Sequence, residues 1–371
     1  MRSRLSTILF IGPLPPPITG QSLACQVFYD GLQPQHHVEL INLSKAGFTQ
    51  GVSSGGRVFE VLDILWRVLR KRWRADVIYL TVSESFAGNL KDVLIYVICV
   101  GQLRRMVIHL HGGAGMADIM GGRRPLQRWL NAVFVKRLGA VIVLGRTHTA
   151  IYRGIVSDAR LHTVPNFAVD DLFATMEQVQ AKFLRPDPLR LLFLSNLLPG
   201  KGHDELVTAF FALPDEARHS LELDFAGGFE SEAQKSDFLR RIDGAANIRY
   251  HGTVTGDRKK QLFHRAHVFC LPTYYPYEGQ PISILEAYAS GCAVIATDHS
   301  GIGDIFRDGV NGLQVAKQSA PDLARAIGQA LAAPGQLSRM AQTNLETAVA
   351  RYKTSDYRQA LTNIMAMVAE T

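Results

Sequence analysis

The sequence has no long apolar run of the kind that marks a membrane-spanning protein. Its longest such run, Val93 to Val100, is far shorter than the roughly 20 residues that cross a bilayer. We therefore expect no transmembrane helix. The apolar stretch that ends at Phe10 is followed by Gly12 and a cluster of prolines, and it is too short for a signal peptide. We expect the protein to stay in the cytoplasm.

Cysteine is also scarce, which argues against a domain stabilised by disulfide bonds or by a zinc site. The four cysteines, Cys25, Cys99, Cys270 and Cys292, lie far apart in apolar surroundings. They have neither the close spacing of a disulfide framework nor the paired spacing of a zinc site. We predict reduced core cysteines and no bound metal.

The composition is that of an ordinary folded protein, with 47% apolar and 20% charged residues. A chain of 371 residues is long enough for two domains of roughly 180 residues each. The net charge of +7 is unevenly distributed. Residues 1–186 contain 22 Lys and Arg against 12 Asp and Glu, whereas residues 187–371 contain 18 against 21. The first half is therefore strongly basic, but it has no nucleic-acid motif, and we expect no nucleic-acid partner.

The most informative segment runs from Ala266 to Gly312. An apolar run ending at Leu271 predicts a buried strand, and Pro281 is typical of the first turn of a helix. A second apolar run after Gly291 predicts another strand. This strand, helix, strand order indicates a parallel sheet and an α/β fold.

Two carboxylates, Glu278 and Glu286, flank the start of that predicted helix. A helix N-terminus offers unpaired N–H groups and a partial positive charge, which suit a phosphate. Carboxylates accept hydrogen bonds in pairs and suit the adjacent hydroxyls of a sugar. The alternative is that both glutamates are solvated charges at a helix end.

The order of these residues resembles the retaining nucleotide-sugar glycosyltransferases of family 4. The resemblance is carried by Glu278, the Gly279-Gln280-Pro281 step, Glu286 seven intervening residues later, and the glycine and strand that follow. It implies the GT-B fold, in which two Rossmann-like doubly wound domains face a central cleft. It also implies that Glu278 binds the donor sugar, that Glu286 binds the ribose, and that N–H groups near Gln280 to Ile282 contact the diphosphate.

A second loop contributes to the resemblance. The apolar run Leu189 to Leu194 predicts a strand that ends in a loop with Gly200-Lys201-Gly202. A lysine there can act as a point charge on a diphosphate. Where many family members have an arginine soon after the strand, this chain has Asn196, so we expect Lys201 to be the main cation on the leaving group. A solvated surface lysine is the alternative.

Two further candidates lie at strand ends in the first half. Gly20 closes a proline-rich loop after the strand that ends near Ile11, where ligands bind in open α/β sheets. His111 follows the strand Met106 to Leu110, and the resemblance implies that such a histidine faces the donor sugar and the acceptor. His109 shares the same strand face and is the alternative if the register is shifted.

A basic amphipathic helix is predicted from Arg57 to Arg74. Its C-terminal part combines tryptophans with positive side chains: Trp66, Arg67, Arg70, Lys71, Arg72, Trp73 and Arg74. Such a helix can lie on an anionic membrane surface, where each positive charge contributes about 1 kcal/mol. The alternative is a core helix whose basic end complements the helix dipole.

We predict an N-terminal Rossmann-like acceptor domain over 1–166, a linker over 167–188 and a nucleotide-sugar donor domain over 189–352. A C-terminal helix follows over 353–371, and the resemblance implies that it returns to the first domain.

The implied activity is transfer of a hexose-type sugar from a UDP- or GDP-linked donor to a saccharide or polyprenyl-diphosphate-linked acceptor. No cofactor is expected. The competing functions are a nucleotide-sugar 2-epimerase of the same architecture and a non-catalytic two-lobed sugar-binding protein.

Overall fold

The computed structural model describes residues 6–44, 54–122, 124–184 and 186–370. The chain divides into two units, one running to Pro165 and including the residues from Ser355 onwards, the other spanning Asn166–Thr354. Each unit is built on a six-stranded sheet in which every described strand pair is parallel. The predicted α/β class is confirmed.

The first sheet has the strand order β2-β1-β3-β4-β5-β6. Its central strands are buried on both faces and rich in valine, isoleucine and leucine, as parallel strands covered by helices must be. The strands are β1 (Thr7–Gly12), β2 (His37–Asn42), β3 (Val77–Thr81), β4 (Met106–His109), β5 (Ala140–Val143) and β6 (Leu161–Thr163).

Helices connect these strands. The first begins with a capping box, in which the Thr19 hydroxyl accepts the Ser22 N–H and the Ser22 hydroxyl accepts the Thr19 N–H. The helices are α1 (Gly20–Leu32), α2 (Ser54–Lys71), α3 (Phe86–Ile98), α4 (Ala114–Met120), α5 (Pro125–Val135) and α6 (Arg146–Thr149).

The second sheet has the order β12-β11-β10-β7-β8-β9. Its last strand, β12, was not predicted from the sequence, because it has only four residues and these include a glycine and a glutamine. The strands are β7 (Leu189–Leu194), β8 (Leu221–Ala226), β9 (Ile248–Tyr250), β10 (Val268–Leu271), β11 (Ala293–Thr297) and β12 (Gly312–Val315).

The helices of the second unit cover both faces of its sheet and close one continuous apolar core. They are α7 (Met176–Lys182), α8 (His203–Ala212), α9 (Asp215–His219), α10 (Glu232–Ile242), α11 (Gly256–Arg265), α12 (Ile282–Ala289), α13 (Ala320–Ala332) and α14 (Pro334–Arg351).

Residues 167–188, predicted as a linker, are packed into the second unit rather than extended between units. They include α7, and Ala168, Leu172, Val179 and Phe183 belong to the second core. The Lys182 ammonium donates to the Ser290 carbonyl oxygen at 2.9 Å. Asp170 and Asp171, part of the sequence signal for a linker, lie here in a short 3-10 helix.

The C-terminal helix α15 (Thr354–Ala369) contributes the residues from Ser355 onwards to the first unit. The Arg358 Nε donates to the Val27 carbonyl oxygen of α1 at 2.9 Å. Tyr357 is buried, and its ring centroid lies 6.4 Å from that of His109. The first unit thus includes a helix from the C-terminal part of the sequence.

Gly202 generates a prediction about stability. Its φ is +87°, and a Cβ there would lie 2.5 Å from the Pro272 carbonyl oxygen. We expect Gly202→Ala to destabilise the second unit by about 3 kcal/mol or more, because a left-handed backbone and a backbone overlap must both be accommodated. Gly244→Ala is the control, since Gly244 has φ +76° but open space around it. Urea unfolding measures both, and equal losses would contradict the role of the overlap.

Candidate functional site

A buried ion pair joins two loops at the carboxyl edge of the second sheet. The Lys201 ammonium, after β7, lies 2.7 Å from the Glu278 carboxylate, after β10. The same carboxylate accepts the Thr273 hydroxyl at 3.1 Å, and the ammonium lies 4.7 Å from the centroid of the Tyr275 ring. The two residues predicted to contact the donor are therefore brought together by the fold.

The glycines around Lys201 explain how its loop reaches that position. Gly200 and Gly202 both have positive φ, a conformation that residues with a Cβ rarely adopt. The Gly200 carbonyl oxygen accepts the Tyr274 N–H at 2.7 Å, which ties the lysine loop to the loop after β10. Positive φ on both sides turns the backbone tightly and directs the lysine towards Glu278.

The loop that contains Glu278 is held by neighbouring turns. The Ser300 hydroxyl donates to the Glu278 carbonyl oxygen at 2.6 Å, and the Gly301 N–H donates to the Gly279 carbonyl oxygen at 3.0 Å. One ring nitrogen of His299 lies 2.8 Å from the Tyr275 carbonyl oxygen. These contacts fix the backbone, so the carboxylate is presented in one place.

Gln280 is buried and has a positioning role in this loop. Its side-chain oxygen accepts the Asn166 N–H at 2.6 Å, and its carbonyl oxygen accepts the Asn166 side-chain amide at 2.8 Å. In the segment Gln280 to Ile282, the groups left to contact a ligand are therefore the backbone N–H groups, because the side-chain oxygen of Gln280 is already hydrogen-bonded. Asn166 is a site residue that the sequence did not reveal.

The N-terminus of α12 follows directly. Pro281 is the N-cap residue, one position earlier than the first-turn placement predicted, and helical residues begin at Ile282. Within the ranges that the structure describes, no side chain caps this end. Its first N–H groups and the positive end of its dipole are thus available to an anion.

Glu286 forms a second buried pair. Its carboxylate lies 2.5 Å from the Lys259 ammonium of α11, and Glu286 is only 1% exposed. Lys259 was missed because it stands in the run Arg258-Lys259-Lys260, which is typical of a solvated helix face. No spacing in the sequence relates it to a glutamate 27 positions later.

Two other acidic residues that could suggest a metal are already paired. Glu222 binds Arg190 at 3.0 Å and Arg249 at 3.3 Å, and Asp224 binds His251 at 2.6 Å and the Arg265 guanidinium. Over the described ranges, no three His, Cys, Asp or Glu side chains converge in a way that could hold a metal ion. That the protein works without a metal stays a prediction.

His111 and Gly20 lie in the first unit. Among the described residues, neither ring nitrogen of His111 has a hydrogen-bond partner, and both are buried. The ring centroids of His111 and His109 lie 3.9 Å apart with the ring planes tilted by 36°, and burial lowers the pKa of His111 to about 3. The ring is therefore neutral at physiological pH. Gly20 is the first residue of α1, and a Cβ there would meet no atom within 4 Å.

The predicted membrane helix has two apolar sides. Ile64, Leu65 and Val68 pack on the first core, whereas the residues exposed to solvent include Val58, Phe59, Leu62, Trp66 and Leu69. Packing alone therefore does not account for its apolar surface. Outside the gaps in the described chain, no helix is long and apolar enough to cross a membrane.

Two of its positive side chains hold the helix to β2. The Arg67 guanidinium donates to the Leu40 carbonyl oxygen at 3.2 Å, and the Lys71 ammonium lies 3.1 Å from the Glu39 carboxylate. The guanidinium of Arg72 stacks on the Trp73 ring at 3.8 Å. Arg70 and Arg74 are exposed and make no ion pair within the part of the chain that is described.

Comparison with known proteins shows which proteins this chain is similar to. Residues 175–347 match the family model described as glycosyl transferases group 1. A D-inositol 3-phosphate glycosyltransferase of Streptomyces bingchenggensis is 30% identical over 165 residues, covering 42% of this chain and 36% of that protein. The amylovoran biosynthesis glycosyltransferase AmsK of Erwinia amylovora is 26% identical over 168 residues, covering 43% of this chain and 41% of that protein. The chain therefore spans well under half the length of these relatives.

Similarity in structure extends over nearly the whole chain. The crystal structure of HepE of Anabaena in complex with UDP and glucose matches with a TM-score of 0.71 at 16% identity. The match covers 97% of this chain and 99% of that one. The predicted GT-B fold with two Rossmann-like units is confirmed.

The Lys259–Glu286 pair generates a second prediction. Lys259→Met should destabilise the second unit by about 3 kcal/mol, because it leaves a buried carboxylate without its cation. The neighbouring Lys260→Met is the control, and Lys259→Met with Glu286→Leu should recover most of the loss. Thermal and urea unfolding report these differences. A Lys259 variant as stable as the Lys260 variant would show that the pair contributes nothing.

Proposed function

We propose that this chain is a glycosyltransferase that transfers a hexose-type sugar from a nucleotide diphosphate sugar to an acceptor, with retention at the anomeric carbon. The match of residues 175–347 to the group 1 glycosyl transferases supports this proposal. The observation that carries the proposal is the Lys201–Glu278 pair beside the uncapped N-terminus of α12. It combines a cation, a carboxylate and backbone donors, which are the groups that a sugar diphosphate needs.

The proposed chemistry begins with the leaving group. The bond between the anomeric carbon and the diphosphate oxygen breaks, a bond to an acceptor oxygen forms, and the proton of the acceptor hydroxyl passes to the departing diphosphate. Lys201 and the N–H groups from Gln280 to Ile282 would stabilise the negative charge that develops on the diphosphate. Asn196, after β7 on the same edge, and the backbone at Gly20 are assigned to diphosphate contacts.

Glu278 and Lys201 would exchange partners when the donor binds. In the structure they neutralise each other at 2.7 Å, so neither is left as an isolated buried charge. A diphosphate competes for the ammonium, and hydroxyls of the donor sugar compete for the carboxylate. The pair thus supplies one charged group to each end of the scissile bond.

Glu286 is assigned to the ribose, with Lys259 beside it. The carboxylate can keep its ion pair through one oxygen and accept ribose hydroxyls with the other, because only Oε1 contacts the ammonium. We propose a UDP- or GDP-linked donor. The complex of HepE with UDP and glucose supports a nucleotide of this kind.

His111 is assigned to orienting the donor sugar or the acceptor. Because its ring is neutral, it offers one N–H donor and one acceptor nitrogen rather than a positive charge. Both nitrogens lack protein partners among the described residues, so a sugar hydroxyl could satisfy either.

The acceptor is proposed to be a saccharide or a polyprenyl-diphosphate-linked saccharide used in polysaccharide biosynthesis. The basic first half of the chain favours an anionic acceptor. The similarity to AmsK, named for amylovoran biosynthesis, supports a polysaccharide product. We propose a cytoplasmic protein bound peripherally to the inner face of the cell membrane through the exposed side of α2.

A binding and turnover panel tests the main proposal. Among nucleotide diphosphates and their sugar derivatives, one should raise the unfolding midpoint by mass action. Glu286→Ala should weaken that nucleotide by about 1 to 3 kcal/mol, since charge-assisted hydrogen bonds are lost. Formation of a new nucleotide sugar from donor alone would identify an epimerase instead. Binding without any turnover of any donor would identify a sugar-binding protein.

The leaving-group role of Lys201 can be measured by kinetics. Lys201→Ala should lower turnover by about 100-fold, comparable to the loss of one oxyanion donor. Glu278→Gln should lower turnover more than it weakens nucleotide binding, because that carboxylate is assigned to the sugar. Lys235→Ala serves as the control, since the Lys235 side chain on α10 is 38% exposed and pairs only with Glu232 among the described residues. Unchanged turnover in the Lys201 variant would refute the assignment.

Membrane binding is tested by sedimentation with vesicles. Arg70→Gln with Arg74→Gln should weaken binding to anionic vesicles by about 30-fold, since each positive charge near the surface contributes about 1 kcal/mol. The control is Arg240→Gln with Arg325→Gln, which removes the same amount of charge from exposed positions on the second unit. It should leave vesicle binding largely unchanged. High salt should release the wild-type protein from the vesicles, because the Debye screening length falls to about 3 Å at 1 M salt. If binding does not depend on vesicle charge, the membrane assignment is wrong and the role of α2 is purely structural.

A further inference from the structure

The exposed apolar surface of the first unit extends beyond α2. The chain has three tryptophans, Trp66, Trp73 and Trp129, and they are 57%, 68% and 60% exposed. Trp66 lies on α2, Trp73 on the short turn after it and Trp129 on α5. Large aromatic side chains are usually buried in a core, so three exposed tryptophans in one unit indicate a surface that is covered in use.

Helix α3 lies between α2 and α5 and contacts both. Its outward side is apolar at helical spacing, with Phe86, Leu90, Leu94 and Val97 all exposed. On the opposite side of the same helix, Asn89 and other residues are buried against the unit. The three helices therefore present one apolar face, which we call the three-helix face.

A groove of about 450 Å³ is cut into this face between α3 and α5. Phe86, Leu90, Val93, Leu126 and Leu130 line it, and the charged residue in its lining is Arg124. The Arg124 guanidinium lies 4.4 Å from the centroid of the Phe86 ring, at the end where both helices begin. In the ranges that the structure describes, no carboxylate pairs with Arg124. The groove is therefore apolar along its length, with an unpaired cation at one end.

That end lies at the carboxyl edge of the first sheet, where His111 is found. Glu84, two residues before Phe86, accepts the Gly115 N–H at 3.0 Å. A Cβ on Gly112, the residue after His111, would lie within 1.5 Å of the Glu84 carboxylate. The loop that begins the groove is thus in direct contact with the loop that follows His111.

From this arrangement we propose that the groove binds the isoprenoid chain of a lipid-linked acceptor, with its phosphate beside Arg124. The inference rests on the proposed function, since it names the acceptor class. The apolar lining suits a hydrocarbon chain, and Arg124 complements the charge of a phosphate. A lipid of the bulk bilayer would need neither the groove nor its position near His111. The occupant is therefore the acceptor's own chain.

The test uses prenyl diphosphates of increasing chain length with the full chain. Isopentenyl, farnesyl and geranylgeranyl diphosphates share one headgroup, and binding is followed by the fluorescence of Trp129 with Trp66 and Trp73 changed to Phe. We expect at least tenfold tighter binding of the longest probe than of the shortest. Leu90→Gln and Leu126→Gln should each remove that chain-length preference. Arg124→Gln should weaken the binding of probes of every chain length.

Leu239→Gln, at a comparably exposed leucine of α10 in the second unit, is the matched control and should leave probe binding unchanged. A photoreactive farnesyl diphosphate should label α3 or α5. Equal affinity for all chain lengths, or labelling elsewhere, would overturn the proposal. If Leu90→Gln alters only vesicle sedimentation, the occupant is the bilayer, and if it alters only the oligomeric state, the occupant is a second copy. Either result also overturns it.

The same variants separate this inference from the proposed function. Stabilisation by nucleotide sugars and turnover of the donor are measured in each of them. Loss of chain-length preference with nucleotide binding intact is the expected result for Leu90→Gln. If wild-type protein binds nucleotide sugars but no prenyl probe, the groove assignment fails while the transferase proposal stands. If it binds no nucleotide sugar, the proposed function fails first.

Discussion

The ion pair between Lys201 and Glu278 is the interaction on which the candidate site depends. It joins residues 77 positions apart and spans 2.7 Å inside a largely buried loop cluster. A lysine and a glutamate with so little exposure would each be costly alone, so the fold has to bring them together. The positive φ of Gly200 and Gly202, the Thr273 hydroxyl and the Ser300 contact all serve that placement.

The pair also explains why the site can be both stable and reactive. In the structure, the Lys201 ammonium and the Glu278 carboxylate neutralise each other at 2.7 Å. Under the proposed function, a sugar diphosphate would offer an anion to the lysine and hydroxyls to the glutamate, so ligand binding would replace one set of charge contacts with another. Glu286 and Lys259 repeat the same arrangement on α12 and α11. Two salt bridges with little exposure thus lie in the second unit, one between two loops and one between two helices.

The first unit has a different physical character. Its sheet is covered by helices whose outward sides are apolar and basic at once, and the three tryptophans of the chain lie there. The unpaired, neutral ring of His111 and the loop held by Glu84 stand at the carboxyl edge of that sheet. A surface suited to lipid and a strand end suited to chemistry therefore belong to the same unit, which is the arrangement that an acceptor anchored in a membrane would require.

Much of this could be predicted from local patterns. Apolar runs predicted the strands β1, β4, β7, β10 and β11 to within a few residues, because a strand buried on both faces is largely apolar along its length. The spacing of Glu278, Pro281 and Glu286 indicated a helix start between two carboxylates, since a helix and its caps depend on neighbours in sequence. Lys201 was recognisable from its flanking glycines.

Only the tertiary structure decided which distant residues meet. Lys259 with Glu286, Asn166 with Gln280, and Glu84 with the loop after His111 are contacts between separate elements, and no local pattern encodes them. The same holds for α2, whose apolar residues form one periodic stripe in sequence but divide into a packed side and an exposed side in the fold. Burial depends on what the other elements cover, and for that reason the sequence determined the elements and their chemistry, whereas the packing determined the partners.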